Sequence, residues 1–242
     1  MLSQFENLTH AFTTRHNGFS QGIYASLNLA FHVEDNSLHV KQNHELLAKE
    51  LDYDRSTLIH MRQIHSDIVH IVTEDDDFEH PPECDALITN KKNTPIMIMS
   101  ADCIPIIIYD PKHHVIALVH AGRAGAFKNI VSKTISKMCE HFTCKIESLH
   151  VSLGPSIHGC CYEVNESIAE EAKALGYHAM ISYQDTKPFL HVNTIVRQQL
   201  KEIGVKLIEE LDYCTACEHE TFFSYRADEG ATGRNAAIAM LK

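Results

Sequence analysis

The stretch PIMIMSADCIPIIIYDPKHHVIALVHAG, residues 95–122, contains three apolar runs separated by two short polar gaps. The runs cover Pro95–Ser100, Ile104–Tyr109 and Val115–His120, and they are rich in isoleucine and valine with little polar alternation. Such runs are typical of strands that are covered on both faces. The stretch therefore predicts three buried strands in a layered protein.

The rest of the chain adds shorter strands and amphipathic helices. The further strand-like runs are Asp67–Thr73, Asp85–Thr89, Leu149–Leu153, Phe222–Tyr225 and Ala236–Leu241. Apolar residues with helical spacing occur in four segments, which run from a cap at Ser37 to Leu51, from Phe127 to Phe142, from Ile168 to a stop at Gly176, and from a cap at Asn193 to Gly204. Strands and helices mixed in this way predict a layered α/β or α+β fold.

Length and charge limit the class of protein. The chain has 242 residues, of which 44% are hydrophobic and 22% charged, and no repeat or proline-rich linker divides it. We therefore expect a single domain covering residues 1–242. The formal net charge of −11 argues against nucleic acid as a partner, because phosphate contacts require a basic surface.

The N-terminal segment MLSQFENLTHAFTTR has neither the basic nor the apolar region of a signal peptide. The longest apolar stretch, around Ile104–Tyr109, is far shorter than the roughly 18 residues that a membrane-spanning helix requires. We therefore expect no membrane association and a cytoplasmic location. In that reducing compartment the eight cysteines should be free, buried or bound to metal.

Three of the 18 histidines and eight cysteines lie at the edges of predicted strands, where functional groups gather in layered α/β proteins. His65 precedes one strand, Cys103 lies in the gap between two others, and His120 ends a fourth. Two imidazoles and one thiolate would suit zinc and leave its fourth position for water or substrate. Two alternatives remain open. Cys103 could be a buried small residue with each histidine capping a loop, or Cys103 and His120 could be a nucleophile and its base, oriented by Asp102 or a carbonyl.

Further cysteines form a less complete pattern. Cys214 and Cys217, with His219 nearby, resemble half of a structural zinc site, but no second pair of this spacing completes it. Packed free thiols are therefore the alternative. The adjacent Cys160 and Cys161 favour core or loop packing.

Substrate-binding candidates are polar residues in loops. Arg15, Arg226 and Arg234 are candidate anion clamps, because the planar guanidinium suits phosphate or carboxylate. Gln63 and Asn28 could bind substrate or hold loops. No Walker loop, dinucleotide-binding glycine motif or serine elbow is present in the sequence.

Ordered motifs along nearly the whole chain resemble the YfiH family, also called the multicopper polyphenol oxidase or laccase-domain family. The motifs that carry this resemblance are Phe12-Thr13-Thr14-Arg15, Tyr24-Ala25-Ser26-Leu27-Asn28-Leu29, Gln63-Ile64-His65, Asp85-Ala86-Leu87-Ile88-Thr89, Ala101-Asp102-Cys103-Ile104-Pro105, His120-Ala121-Gly122, Leu153-Gly154-Pro155-Ser156-Ile157, Cys161-Tyr162-Glu163-Val164, Ser224-Tyr225-Arg226 and Thr232-Gly233-Arg234.

The resemblance implies a four-layer α/β/β/α sandwich with mixed sheets. It also implies a zinc site formed by His65, Cys103 and His120, with copper as an alternative metal, and we place Asp102 beside Cys103 as a catalytic residue. The implied activity is purine nucleoside phosphorolysis, with adenosine deamination as a companion. The partners would then be a nucleoside and phosphate, and the protein a monomer or small homo-oligomer.

Two alternative activities follow from other members that the resemblance covers: a cysteine-type amidohydrolase that edits peptidoglycan precursors, and a copper-dependent polyphenol oxidase. The sequence departs from the family at one position. Relatives usually continue His-Ala-Gly with Trp-Arg-Gly, whereas this chain has Arg123-Ala124-Gly125. Substrate preference and catalytic efficiency are the properties that this change affects.

Overall fold

The structure is a computed structural model that describes residues 2–242. Within these residues the strands are β1 Leu8–Phe12, β2 Ile59–His60, β3 Val69–Ile71, β4 Ala86–Thr89, β5 Ile96–Ser100, β6 Ile104–Asp110, β7 Val115–Ala121, β8 His150–Leu153, β9 Ile181–Gln184, β10 Lys187–Leu190, β11 Leu207–Glu210 and β12 Asn235–Leu241. The α-helices are α1 Ser37–Glu50, α2 Arg123–Phe127, α3 Ile130–Phe142, α4 Glu166–Ala174 and α5 Val192–Glu202.

Two mixed sheets form the centre of the fold. The larger has the strand order β11-β8-β6-β7-β4-β3 and the smaller the order β1-β12-β5-β2, while β9 and β10 form a separate hairpin. β5, β6 and β7 are the three strands predicted from residues 95–122, and every residue in them is buried. These strands show no alternation of polar and apolar residues because each of them contacts apolar layers on both faces.

Three hydrophobic clusters lie between four layers. Alternate residues of β6, such as Ile106, pack with α3 and α5, whereas Ile107 packs toward the smaller sheet. The opposite face of the smaller sheet, including Met97 of β5, packs with Leu47 of α1. The order of layers is helix, sheet, sheet, helix, which confirms the predicted four-layer α/β/β/α sandwich.

The helices confirm the periodicity analysis in outline, with corrections at their ends. The cap of α1 is Asn36 rather than Ser37, because its side chain accepts a hydrogen bond from the amide of Leu38. The segment from Phe127 to Phe142 is two helices, since Asn129 adopts a left-handed conformation between α2 and α3.

The predicted cap at Asn193 is wrong. The cap of α5 is His191, two residues earlier, so that the helix begins at Val192 and the side chain of Asn193 donates to Glu210 instead. The stop at Gly176 holds, because this glycine has φ +88° immediately after α4 and its cap residue.

The predicted strand Phe222–Tyr225 is also wrong, because this segment is an irregular loop. The side-chain amide of Asn235 takes the place of a neighbouring strand: its oxygen accepts from the Phe223 amide, and its nitrogen donates to the Phe223 carbonyl. The edge strands β1, β2 and β11 and the hairpin β9–β10 were not predicted.

All eight cysteines are free thiols. Among residues 2–242, the helices are each too short or too polar to cross a bilayer.

Candidate functional site

The two central strands of the larger sheet bring Cys103 and His120 together, and the loop before β3 places His65 beside them. Cys103 lies in the turn before β6 and His120 lies in β7, and the antiparallel register pairs Ile104 with Ala121. One ligand atom from each of the three side chains lies within 4.8 Å of the others. The Sγ of Cys103 is 4.0 Å from the Nε2 of His65, and the two imidazole ring centres are 5.1 Å apart.

A fully buried carboxylate, Asp85, holds both histidines in place. Its Oδ1 accepts hydrogen bonds from the His120 Nδ1 at 2.9 Å and the His65 amide at 3.1 Å. Its Oδ2 accepts from the amides of Ile64 and Ser66 and from the Ser66 hydroxyl. Because Asp85 occupies the Nδ1 of His120, that ring presents its Nε2 as the remaining ligand atom.

The charges at this site stabilise one another. Burial alone would raise the pKa of the Cys103 thiol, but attraction to His120 and hydrogen bonds to both imidazoles lower it to about 6. Burial would likewise lower the pKa of His120, yet the Cys103 thiolate and Asp85 raise it to about 9. Hydrogen bonds from His120 and Ser66 outweigh burial and lower the pKa of Asp85 to about 2. The site therefore favours a thiolate beside imidazoles.

Gly122 leaves the space in which the three side chains meet. A Cβ at this position would lie 2.9 Å from the Cys103 Sγ and 3.2 Å from the His65 Cδ2. Both distances are closer than an ordinary van der Waals contact. A side chain at residue 122 would therefore displace two of the three ligand groups.

The turn that carries Cys103 is held by Asp102, which has φ +87°. Its carboxylate accepts from the Thr215 and Ser224 hydroxyls and from the Arg226 amide, each at 2.7 Å. Because both oxygens are already bonded within the protein, the geometry favours the turn-holding alternative for Asp102 over proton transfer.

The three side chains form part of the wall of a cavity of about 850 Å³. Away from them, the wall is largely apolar and aromatic and includes Phe31, His44 and Phe78. The Phe31 and His44 rings are stacked with centres 5.3 Å apart, and the Phe78 ring meets His44 edge-on. Such a wall suits a flat aromatic ligand.

Two of the three candidate arginines line this cavity. Arg226 donates to the Cys161 carbonyl and lies over the Tyr162 ring, while Arg234 donates to carbonyl groups of its own loop. Arg15 does not line the cavity. Its guanidinium lies over the Phe223 ring and donates to backbone carbonyls of neighbouring loops, so the structure gives it a loop-holding role.

The remaining substrate-binding candidates hold backbone. Asn28 is fully buried and away from the cavity wall, where it binds both the amide and the carbonyl of Ala30 and accepts from the Arg234 amide. Gln63 does line the cavity, but its amide group is bonded to the amide and carbonyl of Met99. We therefore expect no direct substrate contact from Asn28.

The position where the chain departs from the family motif lies directly behind the cavity wall, because Arg123 does not line the cavity but hydrogen-bonds Tyr162, which does. Arg123 begins α2, forms an ion pair with Glu171 at 3.2 Å and lies over the Phe127 ring. Arg123 thus connects Glu171 of α4 with the cavity-lining Tyr162.

The site residues that the sequence analysis missed are Asp85 and Gly122. Asp85 directly precedes the fully buried strand β4, and this position indicates a buried carboxylate. A buried charge requires hydrogen-bond or ionic partners, so Asp85 could have been identified as a residue that holds other polar groups. The signal for Gly122 was a glycine directly after a strand that ends in a ligand-type residue.

The donor set fits a metal ion. Two imidazoles and one thiolate are a set that zinc accepts, and Asp85 supplies the carboxylate that commonly orients a ligating histidine. The same set also occurs in copper sites. The cluster can therefore hold a metal ion, with the ion's identity left to measurement.

Comparison with known proteins agrees with this fold. Residues 9–242 match the family described as multi-copper polyphenol oxidoreductase laccase. A Corynebacterium glutamicum protein named as a purine nucleoside phosphorylase is 38% identical over 95% of this chain and 93% of its own length. YlmD of Bacillus subtilis, also named as a purine nucleoside phosphorylase, is 30% identical over 96% of this chain and 87% of its own length.

Solved structures give the same result. The crystal structure of YfiH from Bacillus licheniformis superposes with a TM-score of 0.92 at 29% identity, covering 97% of this chain and 93% of that one. YlmD from Geobacillus stearothermophilus has a TM-score of 0.90 at 27% identity, covering 98% and 93%. The chain therefore belongs to the multi-copper polyphenol oxidoreductase laccase family, of which YfiH is a structural representative.

Proposed function

We propose that this chain cleaves purine nucleosides by phosphorolysis, giving the free base and ribose 1-phosphate, with zinc held by His65, Cys103 and His120. The observation that carries the proposal is the position of these three ligand groups in the wall of one cavity that also contains two arginines and an aromatic surface. Relatives named as purine nucleoside phosphorylases cover nearly the whole chain and support the same reaction.

The cavity provides separate surfaces for the two substrates. Arg226 and Arg234 would bind phosphate, which requires local positive charge because the chain as a whole is acidic. The rings of Phe31 and Phe78 would contact the purine base, with the buried His44 ring packed behind Phe31 as support. Phosphorolysis requires both substrates in contact, which the shared cavity allows.

When bound, zinc would supply a Lewis acid that stabilises developing negative charge. The protein groups orient the ligands of the metal ion and exclude water from the site. Asp85 holds the proton of His120 on Nδ1 and keeps the ring directed at the site. The apolar wall excludes water, which would otherwise compete with phosphate at the sugar carbon.

Adenosine deamination is the companion activity that we propose for the same site. It replaces phosphate with water as the attacking group, so it requires the same purine surface but no anion clamp. The two activities are therefore separable by changing the arginines alone.

The experiment incubates metal-quantified protein with adenosine and inosine, with and without phosphate, and measures base, ribose 1-phosphate and ammonia. We expect phosphate-dependent release of base and ribose 1-phosphate. Arg226→Ala should raise the KM for phosphate about tenfold or more, as expected for a lost charge-assisted contact. The control is Arg62→Ala, because Arg62 also lines the cavity but is largely exposed and paired with Glu83. Zinc-loaded protein that releases no base from either nucleoside would overturn the proposal.

One observation favours a second candidate function. The Cys103 Sγ lies within 4.8 Å of a His120 ring nitrogen, and attraction between the two groups lowers the pKa of Cys103 and raises that of His120. A cysteine nucleophile and its base have this arrangement, which would suit an amidohydrolase acting on a peptidoglycan precursor. Activity toward such an amide that persists after complete metal removal, and disappears in Cys103→Ser, would favour this candidate. Copper-dependent phenol oxidation would instead require copper in the purified protein and oxygen consumption with a phenol.

A further inference from the structure

Two loops bring four cysteines to one point, away from the site described above. Cys160 and Cys161 lie between β8 and α4, and Cys214 and Cys217 follow β11. The four sulfur atoms all lie within 4.8 Å of one another. The adjacent pair Cys160-Cys161 thus completes the half-site that Cys214 and Cys217 form in the sequence.

The spacing of the sulfur atoms is that of ligands around one ion. Four thiolates at about 2.3 Å from a tetrahedral zinc ion are separated by about 3.8 Å from each other. The Cys160 Sγ is 3.7 Å from that of Cys161 and 3.6 Å from those of Cys214 and Cys217. The Cys161 and Cys217 sulfurs are 3.3 Å apart. A disulfide would require about 2.05 Å.

Hydrophobic packing does not explain the cluster. Cys160 and Cys217 are exposed, whereas Cys84 and Cys144 are buried as ordinary small core residues. Of the four, Cys214 alone is buried, so the group as a whole gains little from burial. Their convergence is explained if all four thiolates are ligands of one metal ion of a kind that prefers sulfur.

Backbone amides near the cluster donate hydrogen bonds that would stabilise a thiolate. The Cys214 Sγ accepts a hydrogen bond from the His158 amide at 3.4 Å, and the Cys217 amide also bonds to it. The two loops are joined by backbone hydrogen bonds between Ser156 and Tyr213 and between Thr215 and Ser156. These contacts limit the freedom of the four side chains before an ion binds.

We propose that Cys160, Cys161, Cys214 and Cys217 bind a second metal ion, a zinc ion with four sulfur ligands. Because the protein supplies all four ligands, no position remains for substrate, and the site is structural. It shares no residue with His65, Cys103 and His120, so this proposal does not depend on the proposed function.

The second ion would hold one wall of the cavity. The Cys161 carbonyl accepts a hydrogen bond from Arg226, and Tyr162 follows directly in the chain. Thr215, between the other two cysteines, donates to Asp102 and so supports the turn that carries Cys103. Loss of this ion would loosen the position of Arg226 without removing any ligand of the first site.

The test measures metal content and ligand type in a Cys103→Ser background, which removes the thiolate of the first site. We expect about one zinc ion per chain, with X-ray absorption showing about four sulfur neighbours at about 2.3 Å. Adding Cys217→Ala should abolish this zinc, whereas Cys217→His should retain it because imidazole can replace a thiolate. The matched control is Cys139→Ser, because Cys139 lies on α3 outside the cluster.

Folding of each variant is checked by circular dichroism, and thiol alkylation of the Cys103→Ser protein gives a second measurement. We expect the four cysteines to be protected until a chelator is added. The proposal is overturned if the zinc in Cys103→Ser has nitrogen or oxygen neighbours, if Cys217→Ala retains it, or if the intact mass shows a disulfide within the cluster. Nitrogen and oxygen neighbours would instead point to the imidazoles of His65 and His120 that remain in this background, or to Asp110 and His113, which already bond to each other at 2.8 Å.

Discussion

Replacing Asp85 with asparagine tests the claim that one carboxylate organises the site. Asp85 accepts five hydrogen bonds, two at Oδ1 and three at Oδ2. Asparagine keeps one acceptor oxygen and places an NH2 group where the other was. In either orientation the NH2 group faces at least two donors, so at least two charge-assisted bonds are lost.

The expected magnitude follows from these contacts. A hydrogen bond to a charged group contributes about 1.5–3 kcal/mol, so Asp85→Asn should lower the free energy of unfolding by about 3–6 kcal/mol. This is a large part of the roughly 5–15 kcal/mol that stabilises a typical domain. Because the change also releases the His120 ring, metal affinity at the His65, Cys103 and His120 site should fall about 10–100-fold.

Urea denaturation of the metal-free protein measures the first effect, and competition with a chelator of known affinity measures the second. The control is Asp110→Asn. Asp110 is equally buried and accepts from the Lys112 amide and from His113, but it lies at the end of β6 opposite to Cys103. We expect Asp110→Asn to destabilise the protein and leave metal affinity at the first site unchanged. If Asp85→Asn binds metal as tightly as the unchanged protein, or if both variants weaken it equally, the reasoning is refuted.

Two further predictions concern Gly122 and His44. Gly122→Ala should abolish metal binding at the first site while the circular dichroism spectrum is retained, because the new Cβ would lie 2.9 Å from the Cys103 Sγ; normal metal content would contradict this. Burial lowers the pKa of His44 to about 4 from about 6.5, so the unfolded chain binds this proton more readily and stability is lost as pH falls from about 6.5 to about 4. At about 1.4 kcal/mol per pH unit the loss reaches about 3 kcal/mol. His44→Phe should therefore show a weaker loss of stability over this range in urea denaturation, and an unchanged pH dependence would count against the assignment.

The strands of the core were predictable because their information is local. β5, β6 and β7 contact apolar layers on both faces, so each is a continuous apolar run that can be recognised without knowing its neighbours. The half-exposed strands β1, β9 and β11 were missed because partial exposure leaves a mixed composition.

The ligand trio was predictable in part. Strand ends can be recognised from the sequence: Cys103 directly precedes β6 and His120 lies at the end of β7, whereas His65 lies in the loop four residues before β3, which begins at Val69 rather than at the predicted Asp67. The sequence did not determine whether these strand ends lie close together in space. Their distance depends on the strand order β6-β7-β4 and on the register of these strands. The resemblance to a known family supplied the expectation, and the structure supplied the distances.

Sequence alone determined the alternation of buried strands and amphipathic helices, since burial is recorded in the spacing of apolar residues. Only the tertiary structure decided which polar residues act together. Asp85 meets His120 across two neighbouring strands, and Cys160 meets Cys217 across two loops separated by α4 and α5. Such contacts depend on how distant segments pack, and no local pattern in the chain records the distance between them.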